Sequence, residues 1–198
     1  SLRQAAELNR LAKLPFTVLF LDGNHENYDM LAEFPVISWN GGSVQVIREN
    51  VLHLMRGQVY TIEEKTFFTM GGAACHDIQN GVLDPADPMF DVMYRELSFQ
   101  NRFFRIKHYS WWEQEMPSVQ ELEEGWRKLA EYDFQVDYIL THCAPTNLQS
   151  EIAVILRNDT YPINELTDFL QRVYDRCSYS HWFCGHYHQP MDVAPKFH

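Results

Sequence analysis

The chain lacks most of what would place it in a membrane, a disulfide scaffold or a nucleic-acid coat. Its longest apolar run, Phe16 to Leu21 broken only by Thr17, is about six residues. A membrane-crossing helix needs roughly 20. There are four cysteines, Cys75, Cys143, Cys177 and Cys184, and no Cys-x-x-Cys pair. That argues against a structural zinc finger and reads as reduced thiols in a cytoplasmic protein. Basic residues are scarce: 16 Lys and Arg stand against 27 Asp and Glu, a formal charge of −11. Non-specific binding to nucleic acid or to a membrane surface needs a basic footprint that is missing here. A local basic pocket for a phosphate remains compatible with that balance. No internal repeat, low-complexity segment or signal peptide is visible.

What is present suits one domain over residues 1–198, with 45% apolar residues to build a core. Residues 1–14 read as an amphipathic helix with Ala5, Leu8, Leu11 and Ala12 on one side, ended by Pro15. Residues 16–21 read as a strand buried on both faces, followed by a short helix over 26–34. A strand meander is expected from 44 to 70, broken by Gly71-Gly72. Residues 73–117 carry no clear periodicity and read as an irregular, cap-like insertion. Ser118-Val119-Gln120-Glu121 is a capping box opening a helix with Val119, Leu122, Trp126, Leu129 and Ala130 on one stripe. A second buried strand follows at 136–141. A further helix starts near Pro162 with Ile163, Leu166, Leu170, Val173 and Tyr174 on one face, and a third strand spans 179–184.

Three of these strands end in side chains of metal-ligand type. The first runs into Asp22-Gly23-Asn24-His25-Glu26, the second into Thr141-His142, the third into Gly185-His186-Tyr187-His188. In open α/β sheets ligands bind beyond the carboxyl ends of the strands, so distant segments can converge on one spot. Neutral imidazole and amide oxygen suit borderline divalent cations. His186 and His188, two apart, would point the same way in an extended segment. One histidine at a strand end ordinarily packs or hydrogen-bonds; three such motifs in one chain are hard to explain as packing.

Gly-Asn-His-Glu, Thr-His and Gly-His-x-His, in this order, resemble the calcineurin-like metallophosphoesterase superfamily, over residues 23 to 188. The resemblance implies a four-layer α/β sandwich of two β-sheets flanked by helices. It implies a metal-dependent phosphoric ester hydrolase that cleaves a phosphomonoester or phosphodiester by a hydroxide bridging two divalent cations (Mn, Fe, Zn, Ni or Co). Asn24, His142 and His186 match ligands of one cation and His188 a ligand of the other. His25 matches the catalytic histidine, and Glu26 an acidic position beside it that orients His25. The implied partner is a small phosphorylated substrate such as a nucleotide.

The family's Asp-x-His and Gly-Asp-x-x-Asp motifs, which bring carboxylate ligands, occur nowhere in the sequence. The chain therefore reads as a fragment, truncated at the N-terminus and also at the C-terminus, with partial or no metal occupancy and little activity of its own. The alternative is a non-catalytic scaffold or binding module on the same fold, for which His25 has no purpose. Among lesser candidates, Asp77 in Gly71-Gly72-Ala73-Ala74-Cys75-His76-Asp77 could brace the site. Arg102 and Arg105, set among Phe103, Phe104, Tyr109, Trp111 and Trp112, are candidates for substrate binding. Cys143, Cys184, Trp126 and Trp182 read as core, and His53 and His181 as core or surface.

Overall fold

The computed structural model describes residues 2–157 and 161–198. It is a mixed α/β arrangement of two four-stranded sheets with helices. The first helix, α1, spans Leu2–Leu11 and stops in the turn before Pro15; Ser1 of the expected helix lies outside the described residues. The strands are β1 (Val18–Phe20), β2 (Val36–Trp39), β3 (Gly42–Arg48), β4 (Val51–Leu54), β5 (Gln58–Ile62), β6 (Lys65–Met70), β7 (Val82–Leu83), β8 (Arg105–Ile106), β9 (Tyr138–Thr141) and β10 (His181–Cys184). The other helices are α2 (Tyr28–Leu31), α3 (Phe90–Phe99), α4 (Val119–Glu131), α5 (Thr146–Leu156) and α6 (Glu165–Arg176).

The expected meander divides between two sheets. β1-β4-β3-β2 form one, β10-β9-β6-β5 the other, and the chain crosses between them at Met55-Arg56-Gly57. Gly57 makes that crossing possible: it has φ +67°, and a Cβ there would lie 2.6 Å from the Glu121 carbonyl oxygen. Tyr60 ties the sheets together, its hydroxyl donating to the Ser43 carbonyl at 2.5 Å and accepting from the Met55 amide at 2.9 Å.

The pairs β1–β4, β6–β9 and β9–β10 are parallel, so their carboxyl ends share one side of each sheet. The larger core lies where β5, β6, β9 and β10 meet α4, α5 and α6, around fully buried Phe68, Met70, Leu129, Ile139, Phe169 and Trp182. A smaller one joins Val44, Leu52 and Leu54 of β3 and β4 to Tyr60 of β5.

Several expectations are corrected. β1 is half-buried rather than buried on both faces, because it is an edge strand with a cleft beside it. Residues 73–117 hold the β7–β8 pair, the helix α3 and a short 3-10 turn at Glu113–Glu115. The helix α5 between the second and third motifs was not foreseen. The capping box is present as read: Ser118 Oγ accepts from the Glu121 amide, and Glu121 accepts from the Ser118 amide at 2.7 Å. Ala5, Val119, Ala130 and Ile163 fall off their expected stripes and are exposed. No helix among the described residues is long and apolar enough to cross a membrane.

Candidate metal and phosphoryl site

The three motifs meet although they come from both sheets. Asn24, past the end of β1, is buried, and its Oδ1 lies 3.2 Å from Nε2 of His142, past the end of β9. The ring of His186, past the end of β10, lies 5.2 Å from that of His142. Backbone bonds fix His142 from both sides: its amide donates to the Met70 carbonyl and its carbonyl accepts from the Gly185 amide. Gly23 is required by this approach. A Cβ there would sit 2.6 Å from the His142 ring.

Burial lowers the pKa of His142 to about 4 and that of His186 to about 3, with neighbouring imidazoles adding to the effect at His186. Both rings are neutral at physiological pH, the form in which imidazole binds a cation. His25 is exposed at the mouth of the site, its Nε2 3.4 Å from Asn24 Nδ2. Burial, with the charge of Arg105 adding, holds it below its ordinary range.

His186 and His188 are not in an extended segment. Both adopt left-handed backbone, with φ +69° and +55°, a conformation that non-glycine residues hold only where the surroundings impose it. Tyr187 between them imposes it here. Its buried hydroxyl accepts from the Ala144 amide at 3.0 Å and donates to Gln149 Oε1 at 2.9 Å, pinning the loop to the start of α5. His188 is exposed, and near enough that its charge bears on His25, His142 and His186.

Asp22, directly before Gly23, is the hub of a buried network. Its carboxylate accepts from His53 Nε2 at 2.9 Å and from Arg56 Nε at 2.8 Å and Nη2 at 2.5 Å. The Tyr28 hydroxyl lies 3.0 Å from that carboxylate and 2.5 Å from the Gly23 carbonyl oxygen, closing the loop on itself. Gln45 holds the far nitrogen of His53 at 2.7 Å, and Arg56 also reaches the Gln114 carbonyl at 2.7 Å. Arg56 and His53 outweigh the cost of burial, so the Asp22 carboxyl stays far below the usual carboxylate range.

The remaining candidates divide. Arg105 lines a cleft of about 410 Å³ with His25, Asn27, Tyr109, Ser110 and Trp112, and donates to Asp77 at 2.5 Å. Arg102 is exposed, and its one side-chain bond among the described residues is to Gln100. Glu26 makes no hydrogen bond to His25 among the described residues; it lines an apolar cleft under α1 with Leu8, Leu11 and Phe20, where burial raises its pKa. Cys143 and Trp182 are core, with Cys184 and Trp126 packed against it, and His181 is on the surface.

The donor set is neutral nitrogen and amide oxygen, which suits a borderline divalent cation. It is incomplete: among the described residues no group of three or more His, Cys, Asp or Glu side chains is placed to hold a metal ion. No protein-family model, curated protein or solved structure matches the chain.

Proposed function

We propose that the protein is a metal-dependent phosphoric ester hydrolase, built on the four-layer sandwich of the calcineurin-like metallophosphoesterases. The observation that carries this reading is the 3.2 Å approach of Asn24 to His142 across two different sheets, beside His186 and with His25 at the mouth. Packing alone gives no reason to converge an amide and neutral imidazoles at the carboxyl ends of β1, β9 and β10.

Asn24, His142 and His186 would hold one cation, and His188 would contribute to a second. Two bound divalent cations supply charge neutralisation and a water acidified for attack on phosphorus. The chain's own part is positioning. Asp22 and Tyr28 hold the Gly23–His25 loop, and Tyr187 holds His186 and His188. His25 hydrogen-bonds the phosphoryl group or hands a proton to the leaving oxygen. Arg105 at the same cleft offers a charged donor to phosphoryl oxygens.

The reading also calls for carboxylate ligands. The outer edge of β1 has no partner strand among the described residues. A cleft of about 400 Å³ lined by Leu19, Phe20, Leu21, Leu140, Phe183 and others opens next to it. A strand pairing there with carboxylates at its end would deliver them beside Asn24 and His142.

The rival reading, a non-catalytic binding module, is favoured by the incomplete donor set. It leaves unexplained why His25 and Arg105 face one cleft. The test is hydrolysis of bis-p-nitrophenyl phosphate and p-nitrophenyl phosphate by the gene's complete product with Mn²⁺. Manganese-dependent turnover is expected, reduced at least about a hundredfold in His25→Ala with metal content unchanged. No turnover of either ester in metal-loaded protein would sink the hydrolase reading in favour of the module. The 198-residue chain alone is expected to hold Mn²⁺ weakly at best; two tightly held cations in it would overturn the ligand assignment.

A further inference from the structure

Residues 82–106 form a small βαβ unit, in which β7 and β8 pair in parallel and α3 crosses between them. The two-stranded sheet covers one side of the helix only. On that side Leu97 is buried, and Tyr94 stacks on Phe90 and meets Phe104 edge-on. The other side carries Met89, Val92, Met93, Glu96 and Phe99, at three- and four-residue spacing. Positions so spaced share one face of a helix. Four of the five are apolar and exposed, Phe99 almost completely at 92%. Scattered exposed apolar side chains need no explanation. A stripe running the length of a helix is what a helix offers to a partner.

Charge says what that partner is. Asp91 and Arg95 lie one turn apart along one flank of the stripe, and both are exposed. The ion pairs of the surrounding segment are Arg105–Asp77 and Lys107–Asp84; Asp91 and Arg95 join none among the described residues. Two identical helices packed antiparallel about a two-fold axis set like flank against like flank. With the axis near Met93, Asp91 of each copy faces Arg95 of the other, and the apolar stripes close on each other between these pairs. A parallel arrangement would turn the charged flank toward the opposite flank, formed by Met93 and Leu97, and leave both charges unmatched. Glu96, bonded to Gln100 at 3.2 Å, interrupts the stripe and keeps such a pairing weak and reversible.

We propose that the outer face of α3 is a homodimer interface, covered by α3 of a second copy running antiparallel, with Asp91 and Arg95 paired reciprocally. Dimerisation of this kind requires neither a bound metal nor hydrolase activity.

Sedimentation velocity from about 1 μM to about 1 mM reads it directly. The wild-type chain should dimerise reversibly in that range. Phe99→Ser should weaken the dimer about tenfold or more, and an exposed position leaves the fold of each copy undisturbed. Asp91→Arg and Arg95→Asp should each do the same, because each sets like charges face to face. An equimolar mixture of these two variants should dimerise again, since one copy then brings only arginines to the contact and the other only aspartates. The doubly reversed Asp91→Arg/Arg95→Asp chain should recover as well. The same pattern should hold in the Phe183→Lys background, which charges the apolar cleft beside β1 and so separates any association there. The proposal is overturned if the wild-type chain is monomeric throughout the range, if Phe99→Ser or the single charge reversals leave the dimer as tight as before, or if mixing the two charge variants restores nothing. A dimer lost in Phe183→Lys and kept in the α3 variants would overturn it in favour of a contact at β1.

Discussion

Asp22 is the residue on which the site leans most. It is buried beside Arg56, which is buried too, and the pair is joined to His53 and Tyr28. A buried ion pair of this kind adds little over a well-packed apolar pair, but breaking it leaves an uncompensated charge. Asp22→Ala is therefore expected to cost about 3–5 kcal/mol in denaturant unfolding. Because the folded carboxyl titrates below its unfolded value, its contribution is present above the ordinary carboxylate range and disappears as the pH falls through the acid region. The gap between wild type and variant should close on acidification; a gap that is constant with pH would mean Asp22 acts by packing alone. None of this was legible in the sequence. Asp22 and Arg56 are 34 positions apart, Asp22 and His53 31, and only the fold brings them together. Asn24, His25, His142, His186 and His188 could be picked out because each lies in a short motif at a strand end. The role given to Glu26 rested on its place beside His25. The chain instead turns that side chain under α1.

At the scale of the element, legibility follows how local the cause is. The start of α4 was readable because its capping box lies within four residues. Ser118→Ala removes the acceptor for the Glu121 amide and should lower stability by about 1 kcal/mol, read from the shift in urea midpoint at constant slope. No change would mean that Glu121 alone satisfies the helix end. The β4–β5 boundary was unreadable for the opposite reason. Both strands show the same short apolar pattern, and nothing local says that one pairs with β1 and the other with β6. The helix α3 escaped notice because Met89, Val92, Met93, Tyr94 and Phe99 are all exposed and only Leu97 is buried, so no single apolar face marks it. His186 and His188 were expected in an extended segment; the left-handed backbone they adopt around Tyr187 has no signature in residue spacing.

Across the whole molecule the two sheets leave an apolar cleft between them. Leu19, Phe20, Leu21, Leu54, Ile62, Phe67, Leu140 and Phe183 line about 400 Å³, and β1 borders it as an edge strand. An unpaired strand edge beside an apolar cleft is a template for pairing with another chain. The 198-residue chain should therefore bind a dye such as anilinonaphthalene sulfonate in its native state and associate with rising concentration in sedimentation. Phe183 is 43% exposed, so changing it perturbs little buried packing. Phe183→Lys places a charge at the rim of the cleft and should reduce both dye binding and association while the far-UV spectrum stays unchanged. Leu140, Thr141 and Cys184 of the cleft directly precede His142 and Gly185 in the chain. A wild-type chain that excludes the dye and sediments as a monomer at every concentration would mean that the cleft closes in solution, and the proposed strand addition at the edge of β1 would fall with it.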